Sequence, residues 1–443
     1  MRLHPSELLS RLNSSYWFVP FNVTLAGIAL ALVLLYLDTR LSPTLSGGAL
    51  GVLRPSSPEG ARALLSAVIG AMITAISVTF SVTIVALTVA AQHFGPRVLN
   101  NFVRQTSAQI VLGTFMATFG YSVLTLGAVR GTEASADVPA LAVSGAVLLV
   151  MVSIGALIYY VHHISTTLQI GELSAAIVED LRSALCRMER PASAGAAVDD
   201  VVVRDAPPGA AVVLADESGY VQRIDYEAIA REAAARDAQV WIRREPGSFV
   251  LADSALALVH PAGACDDELA QAVRNASIVG RDRTVWQDAE FAVKQLVEIA
   301  LRALSPGVNE PFTAITCIDR LTEGLAFVAS VPEPAAAWCD EGGRARVFAR
   351  AQAFSTLVHA AFDPIRIFAG RNPAIYARLL DGVAELGLLA RKPEDQCLLR
   401  RQAESIRAAA EGAIGDPGDR GYVDTRYERT LYELEKGPVA PRR

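Results

Sequence analysis

No lysine occurs between Met1 and Val293. None of the five cysteines (Cys186, Cys265, Cys317, Cys339, Cys397) belongs to a C-x-x-C pair or lies at ligand spacing from a histidine. The first absence excludes a lysine-borne swinging arm from that stretch. The second excludes zinc-ribbon and dithiol redox motifs and leaves free thiols, which suit a reducing compartment. A P-loop, a G-x-S-x-G elbow, an H-E-x-x-H pair and an EF-hand loop are also missing, so no catalytic residue, cofactor or metal ligand is expected. With a formal net charge of −6 and no basic stripe, the 443-residue chain has no nucleic-acid footprint. The acid and acid–histidine groupings that remain, Asp288 with Glu290 and His359 with Asp363, read as internal ion pairs or solvated faces. A membrane enzyme would have to unite such residues with His260 in one concave site.

Charge is absent from four long apolar windows in the first third of the chain, at about 16–37, 63–91, 109–129 and 138–164. Each is long enough to cross a hydrocarbon core of about 30 Å as a helix. Aromatic residues mark the interfaces: Tyr16, Trp17 and Phe18 precede Pro20, Tyr36 closes the first window, and Tyr159 and Tyr160 sit near the end of the fourth. The first window is too long for a signal peptide and no small-residue cleavage site follows it, so it reads as retained. Four spans put both termini on one side. Arginine placement favours the cytoplasm for that side only weakly, and the free thiols agree.

The second window, about 29 residues or roughly 43 Å as a helix, must tilt or project beyond the bilayer. Along it Ser66, Gly70, Thr74, Ser77, Ser81 and Thr88 fall within an arc of about 80°. On the third, Thr114, Thr118, Tyr121 and Thr125 share an arc of about 60°. These stripes are candidates for a polar path without formal charge, or for close helix packing. No Asp, Glu, Lys or Arg lies inside the windows, which argues against a proton-coupled mechanism and leaves passive conduction. The loop that follows the second window contains His93, Gly95, Pro96 and Arg97. Gly-Pro breaks the helix there and the arginine can reach headgroups.

Beyond the membrane part a soluble α+β domain is expected. An amphipathic helix and linker occupy 166–195, a small β-rich module 196–262, a helical cytoplasmic domain 263–415 and a charged tail 416–443. In the β-module, short strands are read at 201–203, 211–214, 220–224, 240–242 and 249–251, with a helix near 226–236. Its turns, Ser218-Gly219 and Pro246-Gly247, resemble those of biotinyl/lipoyl-type barrel-sandwich domains, but the lysine such carriers need is missing. Within the helical domain Ser305, Pro306, Gly307, Asn309, Glu310 and Pro311 read as a helix stop and restart. Gly307 is expected to take a conformation a side chain resists, Asn309 to cap, and Pro311 to open the next helix.

Two segments carry a family likeness. One is Phe80-Ser81-Val82-Thr83-Ile84-Val85-Ala86-Leu87 leading to Gln92-His93-Phe94-Gly95-Pro96-Arg97, then Leu112-Gly113-Thr114-Phe115-Met116-Ala117-Thr118-Phe119. The other runs from Ala300 through Ser305-Pro306-Gly307-Val308-Asn309-Glu310-Pro311 to Ala314. Together they resemble the bacterial predicted-membrane-protein family catalogued as domain of unknown function 2254. In that family an Asp follows the motif Asn; here Glu310 stands there, a conservative departure. The resemblance implies a bacterial inner-membrane location and a four-helix membrane region, and implies no activity.

The expectations are therefore an integral membrane α-helical protein whose partner is the lipid bilayer, assembling as a homo-oligomer. It would be an ion channel or transport-like pore with a cytoplasmic gating or assembly domain. The alternative is a membrane-anchored scaffold or sensor. Neither names a soluble partner.

Overall fold

The computed structural model describes residues 17–41, 57–94, 106–130, 138–167, 169–187, 205–331, 336–350 and 352–438. The chain forms two compact units, Met1–Gln169 and Ile170–Arg443.

The first unit contains α1 (Phe18–Leu41), α2 (Pro58–Phe94), α3 (Thr106–Ala128) and α4 (Ala140–Thr167). All four are long and apolar enough to cross a membrane. The helices overrun several expected ends, and α2 most of all: at 37 residues it spans about 55 Å at 1.5 Å per residue. Its extra turns are the charged Pro58-Glu59-Gly60-Ala61-Arg62 start, which hydropathy alone does not count. Half of the apolar window of α3 is buried, against 17% for α1 and for α2, so α3 is the axis on which the others pack.

Small residues make that packing close. A β-carbon built on Gly27 of α1 would lie 2.7 Å from Ala117 Cβ and 3.0 Å from its backbone, so the helices meet with no room for a side chain. Gly27→Val is therefore expected to cost about 1–3 kcal/mol through overpacking, read as a lowered unfolding temperature in detergent. Gly155→Val on α4, where nothing lies within 4 Å, should melt like the wild type. Equal melting of the two variants would rule out the close approach of α1 and α3.

The second unit opens with α5 (Ile170–Arg187), the expected amphipathic helix, whose apolar side (Leu173, Ile177, Val178, Leu181, Leu185) is buried. It packs on the hairpin of α8 (Ala289–Ala303) and α9 (Pro311–Ser330). α10 (Phe354–Phe368), α11 (Pro373–Gly387), α12 (Pro393–Ala413) and α13 (Pro417–Lys436) complete the helical part. α13 falls in the expected charged tail. It is capped by Asp416, buries Val423, Thr430 and Leu434, and pairs Arg426 with Asp381 of α11. Residues 439–443 lie outside the described residues.

Between α5 and α8 come β1 (Ala211–Leu214), β2 (Gly219–Ile224), α6 (Tyr226–Ala235), β3 (Gln239–Ile242), β4 (Phe249–Val250), β5 (Ala255–His260), α7 (Asp267–Ala276) and β6 (Ser277–Gly280). β7 (Ala337–Cys339) and β8 (Ala345–Phe348) follow α9. The expected strand at 201–203 lies outside the described residues. The strands form two open sheets, β1-β5-β3-β8-β7 and β4-β2-β6, in place of a barrel sandwich. All pairs are antiparallel except β3 with β8, which aligns Val240 with Val347 and Trp241 with Phe348.

Thus three strands fall in the stretch expected to be helical. They are three or four residues long, too short to show a period. Buried Arg346 holds the β7–β8 hairpin in place, donating to Asp340 at 2.7 Å and to Asp237, beside the start of β3, at 2.8 Å. Tyr226 stacks on Trp338 at 3.8 Å inside the same core.

Candidate functional site

The α2 hydroxyls come first because the helix presents them most openly. Ser66, Thr74, Ser77, Ser81 and Thr88 are all exposed, whereas Ala61, Leu65, Met72, Thr79 and Ala90 are buried. At about 100° per residue the two sets lie on opposite sides of the helix. Thr74, Ser77 and Thr88 donate to the carbonyls of Gly70, Ile73 and Ile84 at 3.1, 2.9 and 2.8 Å, which satisfies those hydroxyls within the helix itself.

The stripe on α3 faces the other way. Thr118, Tyr121 and Thr125 are buried and Thr114 is half-buried. Thr118 shares a 2.9 Å hydrogen bond with Ser153 of α4, and Tyr121 donates to the Ala142 carbonyl at 2.7 Å. Thr114 and Thr125 donate to their own helix. The candidate hydroxyls of α2 and α3 thus lie on two surfaces, one bound into the core of the membrane unit and one facing away from it.

Several polar residues in this core carry no signal in the sequence pattern. Tyr160, expected at the interface beside exposed Tyr159, is 1% exposed and hydrogen-bonds to Thr83, with a second bond to the Thr79 carbonyl at 3.3 Å. Asp38, which ends the first apolar window, is buried at the start of α4. It accepts from Leu141 N at 3.0 Å and Ala142 N at 2.9 Å. Across 103 residues, an acid on α1 thereby caps α4. The side chain of His93 and the whole of Gly95, Pro96 and Arg97 lie outside the described residues.

In the second unit, Ser305 to Glu310 form the turn between α8 and α9. Ser305 Oγ donates to the Arg302 carbonyl at 2.6 Å, and Glu310 N to the Ala303 carbonyl at 2.8 Å. The left-handed residue is Asn309, with φ of 50°, and not Gly307 as expected. Asn tolerates that conformation because its short polar side chain is compatible with it. Glu310 takes the cap position and Pro311 opens α9. Pro306, Gly307, Val308, Asn309 and Glu310 are all exposed.

The expected acid grouping at the start of α8 is an internal cluster. Asp288 is fully buried, caps α8 through Phe291 N at 3.0 Å, and accepts from both arms of Arg283 and from Gln352 Nε2 at 3.2 Å. Arg283 also reaches Glu290 at 2.8 Å, and Lys294 reaches it at 2.9 Å. Burial would raise the Glu290 carboxyl, but Arg283 and Lys294 outweigh it and hold it below the usual carboxylate range.

Gly247, with φ of 89°, lies against Asp288 so closely that a β-carbon there would run into the carboxylate. His359 pairs with Asp363 at 2.9 Å within α10, and Asp363 also accepts from Gln402 at 2.9 Å. These groups serve separate structural pairings among the described residues. Two open grooves, of about 520 and 370 Å³, are lined by none of them.

Among the described residues, no group of His, Cys, Asp and Glu is arranged to hold a metal ion. All five cysteines are free, and burial pushes the Cys317 thiol up to about 12.

The profile of one family, described as predicted membrane protein (DUF2254), matches residues 13–385. An uncharacterized protein of Mycobacterium bovis is 30% identical over 442 residues, covering 98% of this chain and 84% of its own length. Uncharacterized proteins from two strains of Mycobacterium tuberculosis match with the same identity and coverage. No solved structure matches. The match extends from before the first membrane helix into the last turn of α11, taking in both motif segments, and the chain belongs to the DUF2254 family of membrane proteins.

Proposed function

We propose that the protein is a homo-oligomeric, channel-like or transport-like protein of the bacterial inner membrane. In this reading α2 of neighbouring copies lines a polar path, and the second unit, on the cytoplasmic side with both termini, gates or assembles it. One observation supports the reading: the hydroxyl stripe of α2 lies opposite the face that packs on the other described helices, which leaves it open to lipid or to another copy. Small and hydroxylated residues gain little against lipid tails and much against a neighbouring helix or water. Four helices are few for a self-contained pathway, and symmetry supplies the rest.

A second reading, a membrane-anchored scaffold or sensor, draws on the α3 stripe. Its hydroxyls are tied to α4 and to their own helix, as in helix packing.

The test is ion flux through the purified protein in liposomes, with Ser77→Leu plus Ser81→Leu beside the wild type, and α2-to-α2 cross-linking through a cysteine at Ser77. Flux that the double substitution abolishes without changing the melting temperature is the expected result. Cross-linking without flux would favour the scaffold. Neither flux nor cross-linking would remove both the path and the α2 interface.

A further inference from the structure

The geometry points to a lipid-contact surface at one end of the second unit, formed by Val308 and Phe312 at the α8–α9 turn and by Ile367 and Phe368 at the end of α10. The inference does not depend on whether α2 lines a path.

These residues share an end because of how the helices run. α8 and α10 are both 15 residues long and start together, since Gln352, just before α10, accepts from Glu290 N and donates to Asp288 at the start of α8. They pack side by side, so their last residues, Ala303 and Phe368, reach the same end. The turn at 305–310 leaves α8 there, and α9 begins there with Phe312.

α5 fixes which end this is. Its last residue, Arg187, lies over the Trp286 ring at 4.2 Å, beside the start of α8 and therefore at the opposite end. Midway, Leu181 presses on Gly324 and Arg182 pairs with Glu323 at 2.8 Å. α5 thus runs alongside α9 and in the same direction. Its first residue, Ile170, sits at the end that carries Phe312 and Phe368. The last residue of α4, an apolar membrane-length helix, is Thr167, so only residues 168 and 169 separate it from Ile170. A chain of that length reaches about 10 Å at most. The chain thus enters this end of the second unit directly from an apolar, membrane-length helix.

The chemistry of the end suits that position. Phe312 is 81% exposed, Ile367 66% and Phe368 58%, which is costly in water and ordinary at a headgroup boundary, where aromatic residues concentrate. Exposed Arg371, three residues beyond Phe368, is placed to meet phosphate. Pro306 and Gly307, both exposed, give the turn a small, uncharged tip.

The experiment uses the full-length protein in phosphatidylcholine nanodiscs, with exposed Cys186 and Cys397 replaced by serine. An environment-sensitive fluorophore is attached to a cysteine at Phe312, at Phe368 or, as the far-end control, at exposed Ser330 of α9. All three are exposed positions, so labelling leaves the core intact. Blue-shifted emission at Phe312 and Phe368, lost when spin-labelled lipid is added and unchanged at Ser330, is the expected result. Emission at all three sites that spin-labelled lipid leaves intact would overturn the proposal. A blue shift that lipid does not quench, but that dilution of labelled with unlabelled copies alters, would assign the surface to a second copy instead. Repeating the measurement with anionic lipid separates headgroup attraction to Arg371 from apolar insertion.

Discussion

Asp288→Ala is expected to lower the stability of the second unit by about 3–5 kcal/mol. The carboxylate is fully buried and joins four parts of the chain: the start of α8, Arg283, Gln352 and the turn at Gly247. Removing it leaves the Arg283 guanidinium, itself largely buried, with Glu290 as its remaining partner, and strands the Phe291 N–H. That loss exceeds an ordinary truncation because it breaks a buried ion pair, leaves Arg283 one carboxylate in place of two, and takes the cap from α8. Asp288→Asn keeps an acceptor for the α8 cap and should fall between the wild type and alanine. Denaturant unfolding of the full-length protein, followed by protease sensitivity of the second unit, measures the effect. A loss of less than about 1 kcal/mol, the scale of an exposed pair, would mean that the cluster is solvated.

The second large effect is expected in the membrane unit. Asp38→Ala should cost about 1.5–3 kcal/mol, because it removes a charged acceptor from two N–H groups at the start of α4. The Ala142 bond is buried, and a helix start is also where negative charge is favoured. Asp38→Asn retains one acceptor and loses the charge, so it should recover part of the loss. Thermal unfolding in detergent reads the difference. An alanine variant that melts with the wild type would show that α4 does not rely on α1 for its cap.

The membrane half was legible because length and the absence of charge are local properties. Four uncharged windows need no knowledge of partners, and the structure places a helix over each. Pro311 at the start of α9 is legible for the same reason. What no window carries is direction. The stripes on α2 and α3 look alike as sequence, and only packing around α3 separates the buried set from the exposed one. Asp38 was visible as the end of an apolar run, but its role depends on α4 lying beside it. Arg283 and Gln352 meet at Asp288 from positions 5 and 64 residues away, one inside a loop and one ahead of a helix, with no spacing rule to join them. β7 and β8 were missed because a strand of three or four residues announces itself only through the neighbour it pairs with.

The parallel pairing of β3 with β8 has a consequence for synthesis. β3 ends at Ile242, and the strand that covers its second edge begins at Ala345, about a hundred residues later. At roughly 5–20 residues per second on the ribosome, that edge stays open for about 5–20 s while α7, α8 and α9 emerge. For that interval Val240, Trp241 and Ile242 present unpaired backbone beside apolar side chains, the arrangement most prone to pairing with a stranger. The four apolar, membrane-length helices precede β3 in the chain, so the open edge arises on a chain whose membrane segments have already been made.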